Sequence, residues 1–90
     1  MKIGVFDSGV GGLTVLRALL PHIPNAEYLY LGDTARFPYG ERSPAELERF
    51  AVELAEELLD RRAKLLVVAC NAATSAALPA LRRRMLEHHQ

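Results

Sequence analysis

The 90-residue chain holds a single cysteine, Cys70. One cysteine excludes an internal disulfide, a paired-cysteine redox motif and a multi-cysteine metal site. There is no excess of either charge: 11 Lys and Arg stand against 11 Asp and Glu. That balance argues against a binder of nucleic acid or anionic membrane working through bulk electrostatics, which needs a basic surplus. Long hydrophobic runs are missing as well, since no stretch approaches the roughly 18 apolar residues of a membrane span. Met1–Phe6 reaches Asp7 too soon to form the apolar region of a secretory signal. What is present, half apolar and 24% charged, has the balance of a globular domain. The expectation is a soluble, cytoplasmic chain without a nucleic-acid or membrane partner. So small a domain buries only about two-thirds of the surface that its unfolded chain exposes, so it is expected to be marginal alone.

Three short apolar blocks punctuate the sequence. Lys2–Phe6 breaks at Asp7-Ser8-Gly9, Glu27–Leu31 at Gly32-Asp33, and Lys64–Ala69 at Cys70-Asn71. Continuous rather than alternating apolar strands predict a parallel sheet covered on both faces. Helical spacing fills the gaps. From Gly12 to Leu20 it sets Leu13, Leu16 and Leu20 on one face, and Pro21 ends the pattern. Ser43, Pro44 and Glu46 form a capping box with proline at the first helical position. Leu47, Phe50, Leu54 and Leu58 then recur with Ala51 and Ala55 beside them, while Glu48, Arg49, Glu53, Glu56 and Glu57 make a solvated face. The last pattern, Ala72 to about Arg84, contains Pro79, which should kink the helix or set its effective start. The resulting α/β string, βαβαβα, predicts a small three-stranded, parallel, doubly wound sheet in strand order 2-1-3. A helix should lie on one face after the first strand and on the other after the second.

The unusual residues fall where these strands end, at the edge where open α/β sheets bind ligands. In the order 2-1-3, Asp7 and Cys70 lie across one crevice. Gly9-Val10-Gly11-Gly12 lacks the third glycine of a dinucleotide fingerprint, because position 14 is Thr14, and lacks the Lys-Ser/Thr ending of a phosphate loop. It reads either as a tight turn in which glycine permits positive φ, or as a nest of backbone N–H groups for an anion such as a carboxylate. Cys70 reads as a buried core thiol or as a thiolate favoured by the start of the following helix. Asp7 reads as a cap for the glycine turn or helix, or as a carboxylate that positions a substrate amine or tunes the thiol. Tyr39 and Gly40 read equally as a plain Pro-Tyr-Gly turn. His22, His88 and His89 have no metal-binding spacing.

Together these blocks resemble bacterial glutamate racemase. The resemblance is carried by Ile3-Gly4-Val5-Phe6-Asp7-Ser8-Gly9-Val10-Gly11-Gly12-Leu13-Thr14-Val15-Leu16, then Gly32-Asp33-Thr34-Ala35-Arg36, Pro38-Tyr39-Gly40-Glu41-Arg42-Ser43 and Val68-Ala69-Cys70-Asn71. It implies cofactor-independent inversion at the α-carbon of glutamate, supplying D-glutamate for peptidoglycan and cell shape. Two cysteines on opposite faces of the substrate then exchange the α-proton. Matched residue by residue, Cys70 stands at the first catalytic thiol and Asp7 at the carboxylate that assists it. Asp7, Ser8, Tyr39, Gly40 and Asn71 fall on substrate contacts.

Position 72 also falls on such a contact, but Ala72 stands where the family usually has threonine. One hydroxyl donor in a dry site is worth on the order of a hundredfold in rate. Thr74 could replace it only from another face of the helix. Residues 1–90 match a partial N-terminal domain, with the second domain and its second cysteine absent. The chain is therefore expected to be inactive alone, with glutamate as ligand and a homo-oligomer or a complementing C-terminal half as possible partner. A non-catalytic ligand-binding or interaction fragment is the competing reading. A dinucleotide-binding half-domain, resting on Gly9, Gly11 and Asp33, is a third.

Overall fold

The computed structural model describes residues 1–9, 11–36 and 42–88, with the backbone alone for 71–73 and 88. Its elements run β1 (Lys2–Asp7), α1 (Gly12–Leu19), β2 (Glu27–Gly32), a 3-10 turn (Thr34–Arg36), α2 (Pro44–Asp60), β3 (Leu65–Val68) and α3 (Asn71–His88). The strands form one sheet in the order β2-β1-β3, parallel throughout. This is the α/β arrangement expected from the apolar blocks. Lys2 pairs with Glu27 and Asp7 with Gly32 along one side of β1, while Ile3 pairs with Leu65 and Phe6 with Val68 along the other.

Alternation along β1 divides its side chains between two layers. Phe6 points into the main core, where it meets Leu47, Phe50, Ala51, Ala55 and Leu58 of α2 and Ala77 and Leu81 of α3. Gly4 lies on the same face, and a Cβ there would stand 2.8 Å from Leu58 Cδ1. Its missing side chain is what lets α2 sit against the sheet. The opposite face carries α1, which contacts β1.

α2 begins as its sequence dictates. Ser43 Oγ accepts the Glu46 N–H at 3.2 Å, and Glu46 Oε1 accepts the Ser43 N–H at 3.3 Å. The Ser43 backbone and side chain together hold the Glu46 carboxyl below the usual carboxylate range. The helix ends where Arg62 enters the left-handed region at φ 74°.

Of the two expectations for Pro79, a kink or a helix start, the start is excluded, because α3 runs from Asn71 to His88 with the proline inside. Pro79 and Ser75, four residues earlier, are both exposed, so the carbonyl that loses its N–H partner faces water. α1 buries only Gly12. Leu13 and Leu20, which the spacing sets on one face with Leu16, are 49% and 44% exposed. Among the described residues no helix is long and apolar enough to cross a membrane.

Candidate functional site

The three strands end together. The Asp33 N–H donates to the Asp7 carbonyl at 3.0 Å and the Ala69 N–H to the Phe6 carbonyl at 2.9 Å. Asp7, Asp33 and Cys70 therefore share the carboxyl edge of the sheet, as the strand order predicted.

Asp7 is the one buried charged residue of the described core, at 2% exposure. Its carboxylate lies on the α1 side and is satisfied locally. Oδ1 accepts the Gly9 N–H at 2.7 Å and lies 3.2 Å from the Tyr30 hydroxyl, while Oδ2 accepts the Gly12 N–H. Bonds from N–H to a charged acceptor are about twice as strong as neutral ones, which compensates burial of the charge. The glycine turn is thus an anion nest filled by the chain's own carboxylate, at least at Gly9 and Gly12.

The glycines serve close approach here rather than unusual backbone angles, since no described glycine has positive φ. A Cβ on Gly12 would stand 2.7 Å from Asp7 Oδ2 and 2.8 Å from Tyr30 Cε1. A Cβ on Gly32 would collide with the Gly9 carbonyl oxygen and stand 3.1 Å from the Tyr30 hydroxyl. At Gly11 the nearest atom is 3.8 Å away, an ordinary contact, in right-handed backbone of φ −62°. Gly32→Ala should therefore lose about 2 kcal/mol by forcing the turn to move. Gly11→Ala should be neutral or stabilising by up to about 1 kcal/mol. Urea melts of the two variants check the contrast; equal losses would contradict it.

Tyr30 is the group that sequence reading missed. Its hydroxyl bridges Asp7 Oδ1 and the Gly9 carbonyl oxygen, the latter at 2.9 Å. Burial first, and then the Asp7 charge and hydrogen bond, raises its phenol above the ordinary value. Tyr30 therefore stays protonated and able to donate. The available signal was its place in β2, opposite Val5 and two residues from the carboxyl edge.

Cys70 sits just ahead of α3, half-buried against the α2–α3 core. The described carboxylate bonds run to Gly9, Gly12 and Tyr30 rather than to this thiol. Asp7 and Cys70 thus share an edge, while the acid turns toward α1 and the thiol leans on the other layer. The Thr74 hydroxyl donates to the Cys70 carbonyl at 2.8 Å, so its hydrogen is committed to the helix start. Ser8 is half-buried beside the glycine turn. The Asn71 and Ala72 side chains lie outside what is described, as do Tyr39 and Gly40 entirely. Among the described residues no cluster of His, Cys, Asp and Glu could hold a metal ion.

Arg36 fastens the end of β2 to α2. Its Nε lies 2.7 Å from Asp33 Oδ2 and its Nη1 2.8 Å from Glu53 Oε2, with the guanidinium 4.0 Å above the Phe50 ring. Burial pulls its pKa down, but hydrogen bonds and charge from Glu53 and Asp33 outweigh that and raise it. The Gly-Asp-Thr-Ala-Arg block is therefore a structural latch leading into residues 37–41.

The glutamate racemase of Thermus thermophilus is 62% identical to this chain over 79 residues, 88% of the chain and 31% of the relative. That of Geobacter metallireducens is 52% identical over 83 residues, 92% of the chain and 31% of the relative. The solved glutamate racemase of Aquifex pyrophilus superposes with a TM-score of 0.93 at 49% identity, covering 96% of this chain and 34% of that one. In sequence and in fold, the chain matches glutamate racemase.

The match spans about a third of the length of those racemases. No protein-family model matches the chain. The racemase relatives are isomerases by name, and the Francisella tularensis racemase was solved in complex with D-glutamate. It superposes with a TM-score of 0.87 at 40% identity, covering 93% of this chain and 32% of that one.

Proposed function

We propose that the chain carries one half of a glutamate racemase site, with Cys70 as the thiolate that removes or returns the α-proton on one face of glutamate. The single observation that supports this most is the 62% identity to a glutamate racemase, with the only cysteine of the chain standing at the carboxyl edge of the matched fold. An α-proton is weakly acidic, so its removal needs a positioned base and hydrogen bonds to the developing carbanion. Cys70 stands immediately ahead of α3, at the carboxyl edge of the sheet.

In this reading Ser8, Tyr39, Gly40, Asn71 and the backbone at Ala72 hold the substrate. Asp7 assists by fixing the turn beside it and by its charge. Inversion needs a second proton donor on the opposite face, and these 90 residues supply one thiol. A complementing segment of racemase chain provides the other. No cofactor takes part, and the product is D-glutamate for peptidoglycan, made in the cytoplasm.

A chimera tests the reading. The 79 matched residues of this chain replace their counterpart in the Thermus thermophilus racemase. The chimera should interconvert L- and D-glutamate, whereas the 90-residue chain alone should not. A folded chimera without racemisation would refute the proposal.

A further inference from the structure

We infer that Tyr30 is a positioning residue of this site: its hydroxyl locks the Asp7 carboxylate and the Gly9 carbonyl together, and so sets where the Ser8–Gly9 turn stands at the sheet edge. The inference rests on the racemase reading only for what Ser8 then contacts.

Gly9 is held from both sides. Its N–H donates to Asp7 Oδ1 at 2.7 Å, and its carbonyl oxygen lies 2.9 Å from the Tyr30 hydroxyl. The same hydroxyl lies 3.2 Å from Asp7 Oδ1, which closes a ring through Asp7, Gly9 and Tyr30. A phenol has one hydrogen and here faces two acceptors. That hydrogen is shared between the Asp7 carboxylate and the Gly9 carbonyl, so one hydroxyl ties the two acceptors together and holds the turn in place.

The packing around this ring is an independent sign that the chain is built for it. Gly12 and Gly32 come from different elements, yet a side chain on either would strike the Asp7–Tyr30–Gly9 group, while Gly11 between them is free of that constraint. β2 and α1 have both given up a Cβ at the places where this ring needs room. Raising of the phenol by burial and by Asp7 keeps the donor in place across the neutral range.

Amide hydrogen exchange on the 90-residue chain tests this without any assay of racemisation, so failure of the racemase reading leaves the result interpretable. In Tyr30→Phe, the Gly9 amide should exchange at least tenfold faster and its proton resonance should move upfield. Ladder amides between β1 and β3 should keep their protection. Tyr28→Phe, whose hydroxyl bonds the Ile23 carbonyl instead, should leave Gly9 unchanged. A folded Tyr30→Phe protein with Gly9 unaltered, or one in which every amide loses protection equally, would overturn the inference. If Tyr30→Phe does not fold, the Tyr30 hydroxyl proton of the unmodified chain decides. A hydroxyl resonance protected from solvent exchange and close to Gly9 supports the lock, and a hydroxyl exchanging freely with water overturns it.

Discussion

Asp7→Asn is expected to lower the stability of the chain by about 3 kcal/mol in urea. The change keeps the shape of the side chain and reverses the chemistry of one end. Both carboxylate oxygens of Asp7 accept backbone N–H groups, from Gly9 and from Gly12. An asparagine offers one oxygen, and its amide would press donor against donor at the other. With the residue at 2% exposure, no water is at hand to repair the mismatch. The loss therefore combines a charge-assisted bond with a buried, unpaired N–H. For a domain of this size, 3 kcal/mol is a large share of total stability and lowers the melting temperature by more than about 10 °C.

Asp60→Asn is the matched control. Asp60 is exposed at the last position of α2, where a negative charge opposes the helix dipole. Its replacement should be neutral or slightly stabilising. Equal effects of the two changes would mean that the nest at Asp7 is not what holds the turn.

Periodicity and capping chemistry made the architecture readable. Ser43, Pro44 and Glu46 announce α2, and its buried face follows Leu47, Phe50, Ala51, Ala55 and Leu58 as spaced. The preferred strand order 2-1-3 is the one observed, with helical crossovers between the three apolar blocks. α1 was less legible, because spacing shows which residues share a face but not whether anything covers that face. Pro79 left two outcomes open, and its place inside α3 excludes only the helix start. At the site, the edge placement of Asp7 and Cys70 was visible from where the strands break. The Tyr30 bridge was not, because it joins residues 23 and 21 apart along the chain. Gly12 and Gly32 looked like turn residues, and only three-dimensional proximity shows that they make space for one buried acid.

Cys70→Ser carries the largest expected effect on function. Serine is close in size, and Cys70 is only half-buried, so the fold should survive. A hydroxyl is far less acidic than a thiol, so at neutral pH it supplies almost no base for the α-proton. In the racemising chimera, turnover should fall on the order of a thousandfold or more. The melting temperature should stay within a few degrees, which separates lost chemistry from lost structure. Solvent deuterium at the α-carbon should disappear for the enantiomer whose hydrogen faces Cys70.

The most direct measurement is therefore the rate of D-glutamate formation by the chimera with and without Cys70→Ser, at matched folded fraction. The account predicts a loss of about three orders of magnitude with an unchanged melt. A serine variant that forms D-glutamate at the parent rate would contradict it.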